Sequence, residues 1–285
     1  MVTMLALAAA LLYGSADFLG GTATKRAHVL SVLLPSGAAG FVVVLIAAVV
    51  AGKQAWVAGL GWGSAAGAIG GVGLIVFYSG LARGPMIVVA PVSALMSTVL
   101  PIAVALAEGE RANVTVYLGA LLCLVAIVLV SSTGPASRLG GGIRQALHGR
   151  AVLYGVAAGL CFGLFFLFLR NAGQAGTLWP TAAARLAGLA VIVLAACIAR
   201  TGPVTASAGM AVLLAAIFSG VLDASANVCY LLATRAGLFG LAVVLTSLYP
   251  GVTVLLARVV HGERMGRVQQ AGLALAAAGV LMVTL

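Results

Sequence analysis

Ten apolar runs, each close to the length a helix needs to cross a bilayer, take up most of this chain. They cover residues 2–21, 29–51, 57–82, 86–107 and 113–131, then 151–169, 178–199, 209–234, 238–260 and 266–285. A membrane-crossing helix needs about 20 apolar residues. In lipid no water meets stray backbone N–H and C=O groups, so each run must satisfy its own as an α-helix. Only 7% of the residues are charged, against about 25% in a soluble domain. Such a chain cannot cover itself with polar groups, so its solvent is hydrocarbon. We expect an all-α integral membrane protein with ten transmembrane helices and short loops.

The second half repeats the first. Gly109-Glu110-Arg111 recurs as Gly262-Glu263-Arg264, 153 residues later, and the register holds as Gly84 falls on Gly237, Leu95 on Leu248 and Gly119 on Gly272. Nearer the start, Tyr13-Gly14 matches Phe162-Gly163 at an offset of 149. The first run also lacks a basic leader and has this counterpart inside the chain, so we expect it to be a helix rather than a cleaved signal. Residues 132–150 hold Thr133-Gly134-Pro135 and Gly140-Gly141-Gly142, which is linker chemistry. The expected division is a first five-helix repeat over 1–131, a linker loop over 132–150 and a second repeat over 151–285. Five is odd, so the second set enters the membrane from the opposite side and the repeat is inverted. Inverted repeats in a membrane protein point to a transporter, whose halves rock about a site held between them.

The formal net charge is +10, with 15 Lys and Arg. They stand singly or in pairs at run ends, with no basic stripe for nucleic acid. Loops after odd-numbered runs, with the run ends beside them, hold ten of them and loops after even-numbered runs four, with Arg185 deep inside a run. The positive-inside rule then places the odd loops in the cytoplasm and both termini outside. Cys123, Cys161, Cys197 and Cys229 lie alone in apolar runs, and His28, His148 and His261 lie in loops or at run ends. This implies neither a metal site nor a redox pair, and no nucleotide or hydrolase motif occurs. We expect no cofactor and no enzyme activity.

Two five-run halves, Gly-Glu-Arg closing the fourth run of each, an aromatic-Gly pair in the first, and Ser247-Leu248-Tyr249-Pro250 in the ninth together resemble the drug/metabolite transporter superfamily, and within it the EamA-type ten-helix transporters. The resemblance spans essentially the whole chain. It implies a basket of ten helices whose central cavity is lined by the first, third and fourth helices of each half, with the fifth peripheral. It implies traffic in small metabolites across the cell (plasma or inner) membrane and both termini in the cytoplasm, against the charge count. The first half departs from the second in having Met96-Ser97 where the second has Tyr249-Pro250, with Pro91 and Pro101 nearby.

Several residues stand out. Glu110, Arg111, Glu263 and Arg264 sit at run boundaries, where a carboxylate before a helix gains about 0.3–1 kcal/mol from the helix N-terminus; we read them as helix-end motifs. An Asp in mid-membrane costs about 2.5–3.5 kcal/mol on insertion scales, so it faces a cavity or a partner. Asp223 shares one helical face with Ser219, Asn227 and Tyr230, a stripe we assign to substrate or proton rather than to structure alone. Asp17, one turn after Tyr13, faces the cavity or lies at the interface. Arg185 pairs with an Asp, snorkels to the surface or binds a substrate carboxylate. Ser93 and Ser97 share one face; Thr246, Pro250 and Thr253 share another, beside Tyr249, where proline frees a carbonyl for a ligand or merely kinks the helix. The third run is crowded with glycines, Gly59 to Gly73, expected as a packing and sliding surface rather than a binding site. Phe162, Phe166 and Phe168 are expected in core or lipid contact, with Phe165 turned to the cavity.

The expectation is a secondary transporter exporting amino-acid-like or amphipathic metabolites by alternating access. Its partners are a small-molecule substrate, membrane lipids and protons as candidate coupling ion, as a monomer or weak dimer. A lipid or lipid-linked sugar flippase of the same fold is the alternative, and an intramembrane enzyme lacks any catalytic cluster.

Overall fold

The structure is a computed structural model that describes residues 1–51, 57–83, 86–109, 114–131, 150–173, 176–201, 209–261 and 267–284. Glu110, Arg111, Glu263, Arg264 and the linker at 132–149 lie outside the described residues. The described chain is helical: α1 (Val2–Thr24), α2 (Val29–Val50), α3 (Val57–Arg83), α4 (Met86–Ala107), α5 (Val114–Ser131), α6 (Arg150–Gly173), α7 (Leu178–Ile198), α8 (Met210–Ala236), α9 (Phe239–Thr246), α10 (Tyr249–His261) and α11 (Arg267–Thr284). Six of these, α1, α2, α3, α6, α7 and α8, are long and apolar enough to cross a bilayer whole. Shorter apolar stretches occupy Val92–Ala105, Tyr117–Ala126 and Phe239–Thr253. This is a multi-pass membrane fold, with Leu11, Ile46, Leu194 and Phe218 among the large side chains turned outward, as lipid contact allows.

The ninth run departs from expectation. It is two helices, broken at Ser247-Leu248. Pro250 has no N–H to offer the carbonyl of Thr246, one turn back. The bonds about the break tighten accordingly: Leu248 N–H reaches Leu245 O at 3.3 Å and Gly251 N–H reaches Leu248 O at 2.9 Å, three residues back rather than four.

The packing follows the repeat. Counting α9 and α10 together as the ninth span, each helix has a counterpart five spans away. The contact of α1 with α8 has its counterpart in α6 with α3; α4 with α6 matches the ninth span with α1; α2 with α8 matches α7 with α3. Two further pairs, α2 with α7 and α5 with α11, join counterparts directly. The helix starts keep the spacing: Val29 and Leu178 are 149 apart, Val57 and Met210 are 153 apart. This is the exchange expected of a pseudo-two-fold axis. The fifth and tenth spans pack chiefly on each other, to one side.

Small residues make the contacts close. A Cβ on Gly14 of α1 would come within 2.6 Å of the Tyr249 carbonyl of α10; one on Gly159 of α6 would come as near to the Ser93 carbonyl of α4. Gly40 lies against Gly220 O across α2 and α8, and Gly71 against Gly188 O across α3 and α7. Without a hydrophobic drive between helices in lipid, such backbone approach is what holds them.

Candidate functional site

A cavity lies between the halves, with about 850 Å³ of free space counted to its open mouth. Helix α1 sends in Tyr13 and Asp17, one turn apart on one face; α8 sends Asp223 and Asn227; α7 sends Arg185; α10 sends Tyr249 from just after the break. Arg185 Nη1 donates to Asp223 Oδ2. Their side chains are 12% and 22% exposed, and that exposure is to the cavity they line. Tyr13 Oη donates to Asn227 Oδ1 at 2.7 Å, and Asn227 Nδ2 donates to the Asp223 carbonyl at 2.7 Å. The Tyr13 ring meets Phe166 edge-on at 6.2 Å and Tyr249 at 6.1 Å. One network therefore joins α1, α7 and α8.

Asp17 is different. It lines the same cavity and feels the charge of Asp223. No lysine or arginine among the described residues pairs with it. Of the two expected placements, it takes up the one in the cavity lining. The ion pair overturns the snorkelling alternative for Arg185: the guanidinium turns inward because a carboxylate waits there.

Much of the remaining lining is apolar. Leu74 and Phe77 come from α3; Phe162, Phe165, Phe166 and Leu169 come from α6. Phe165 is among the lining residues. Phe162 and Phe166, expected in core or lipid contact, line the cavity as well. The glycines of α3 are packing residues and wall residues at once: Gly67, Gly70 and Gly71 line the cavity, and a Cβ on Gly70 would meet the Phe165 ring at 2.8 Å. Their expected exclusion from the site is corrected, since removing side chains both admits a neighbour and opens a void. The second helices, α2 through Gly37 and α7 through Thr181 and Leu189, take part in the lining as well.

Four expected site residues do not line the cavity. Tyr230 shares the face of Asp223 but sits two turns further along α8, where α6 closes in. It is fully buried, its ring 4.6 Å from that of Phe166 and its hydroxyl donating to Phe166 O at 3.4 Å. Ser97 turns back on its own helix, donating to Ala94 O at 2.9 Å. Ser93 lies beside the Tyr249 phenol, outside well-formed hydrogen-bond geometry, and Thr246 Oγ1 is buried without a partner. Ser219 donates to Ala16 O at 2.8 Å and Thr253 to Gly14 O at 3.1 Å, both tying helices to α1.

Two polar contacts had no sequence signal. Thr98 donates to Ser247 Oγ at 2.6 Å, bracing α4 against the break. Arg170, at the end of α6, pairs with Glu108 at 2.7 Å after α4 and lies 4.1 Å above the Phe239 ring at the start of α9.

The family model described as the EamA-like transporter family matches residues 149–285. No curated protein matches the chain in sequence. Among solved structures 22 chains match. One, described only as a crystal structure of a protein, aligns with a TM-score of 0.74 at 19% identity, covering 99% of this chain and 97% of its own. That likeness is one of fold.

Proposed function

Since the chain belongs to the EamA-like transporter family, matched through residues 149–285, and so has a transporter-type function, we propose that it is a secondary active exporter of small metabolites, amino-acid-like or amphipathic. It works by alternating access, with protons as coupling ion. The observation that carries this reading is the cavity between the halves, in which Asp17, Asp223 and Arg185 face an aromatic wall. Charges cost so much in a bilayer that their convergence on one void marks a pathway. Asp17 takes the proton or a substrate's positive group. Arg185 and Asp223 form a pair that substrate opens, and Tyr13, Asn227 and Tyr249 supply hydrogen bonds and ring faces. The inner or plasma membrane is the site of action, with odd-numbered loops in the cytoplasm by their charge. A flippase needs a free cation for a phosphate headgroup. The cavity's arginine is held by Asp223, so nothing favours that alternative.

The test is uptake of a radiolabelled metabolite panel into proteoliposomes with and without an imposed pH gradient. We expect at least one amphipathic compound to accumulate against its gradient, and Asp17→Asn to abolish the response to pH. Accumulation that ignores the gradient in the wild type removes proton coupling; no saturable movement of any compound removes the transport reading.

A further inference from the structure

Resting on the transport cavity proposed above, we infer that the site prefers an organic monocation, a protonated amine on an apolar or aromatic body, over a zwitterion or an anion of the same shape. The pseudo-two-fold exchange sets three polar residues of the cavity against apolar or side-chain-free ones. At the 153-residue spacing Asp223 answers to Gly70 and Asn227 to Leu74; at the 149-residue spacing Asp17 answers to Phe166. All six line the cavity. The fold repeats and the chemistry does not: the charges gather on α1, α7 and α8, whereas α3 and α6 bring in only apolar groups.

The charged wall does not balance. Among the described residues it carries two carboxylates and one guanidinium, and the guanidinium is bound to Asp223. Among the described residues, the groups facing Asp17 are Asp223 from α8 and the phenols of Tyr78 from α3 and Tyr249 from α10, and none of these is positive. With Asp17 ionised, a monocation brings the site to neutrality, a zwitterion leaves one negative charge and an anion leaves two. Away from bulk water a residual charge is poorly screened and expensive, so net charge decides more than any one hydrogen bond. The rings of Tyr13 and Tyr249 beside this carboxylate also favour a cation through their faces. A proton competes with the amine for Asp17.

Four radiolabelled probes with one phenylethyl body separate the cases: 2-phenylethylamine, phenylalanine, 3-phenylpropionate and 2-phenylethanol. Equilibrium binding to the full-length purified protein in detergent is measured across a range of pH. The amine is expected to bind on the order of tenfold or more tighter than phenylalanine, and more weakly as the pH falls. Asp17→Asn should bring the amine down to the affinity of the alcohol and remove its pH dependence, while Asp17→Glu, checked for an unchanged melting temperature, keeps the preference. Phenylalanine binding as tightly as the amine, an Asp17→Asn variant that keeps the preference, or no saturable binding of any probe overturns the inference. If phenylalanine binds and is driven uphill in vesicles, the transport reading stands and the cation preference falls. If the amine binds but never crosses, the reverse holds.

Discussion

Asp17 and Asp223 share one cavity and differ in their company. Asp223 holds Arg185; Asp17 holds no cation among the described residues. Their replacements should therefore behave differently. Asp223→Asn leaves a guanidinium without its partner in a largely buried place, which should cost about 1–3 kcal/mol. The double variant Asp223→Leu with Arg185→Met should regain most of that stability and still fail to transport. Asp17→Asn should melt no lower than wild type. Thermal unfolding in detergent separates these outcomes, and equal losses at both positions would contradict the distinction. At this scale the polar wall was legible in the sequence, because an Asp in mid-membrane needs a reason. The apolar wall was not. Leu74, Phe77 and Phe162 facing a void are spelled like residues facing lipid.

A helix in this molecule is defined as much by what its glycines admit as by its apolar length. Gly67 of α3 lies against the backbone of Ala184 in α7, while Gly61, earlier on the same helix, has open space about its Cα. Gly67→Ala must push two backbones apart and should cost about 1–3 kcal/mol. Gly61→Ala should be neutral or stabilising by up to about 1 kcal/mol, since alanine is the better helix former. Equal melting temperatures for the two variants would refute the close approach. Span positions were readable to within a few residues because lipid leaves helices little freedom. Two things were not. The sequence does not say whether a glycine serves packing or a cavity, and here Gly70 and Gly71 do both. The break before Pro250 lies in an unbroken apolar run, so only the proline hinted at it, and a proline equally permits a plain kink.

The whole molecule rests on the repeat. The equal spacing of residues foretold the paired helix contacts, because related halves bury related faces. The unequal chemistry of the halves was visible only in part, since which polar residues converge depends on depth along each helix. Tyr230 shows the limit: it has the right face and the wrong height. Orientation is a separate question of loop charge. Single cysteines at Ser137 and Gln54, in a chain freed of its four native cysteines, should label from opposite faces, with Ser137 protected in intact cells. Labelling of Ser137 from outside would reverse the assignment. Alternation itself is tested most directly at Leu189, which lines the cavity from α7. With Leu189→Cys as the sole cysteine in proteoliposomes, an impermeant thiol reagent is applied from one side and then from the other. The account predicts reaction from both sides, slowed by a bound substrate. Reaction from one side only, under every gradient and substrate condition, would contradict it.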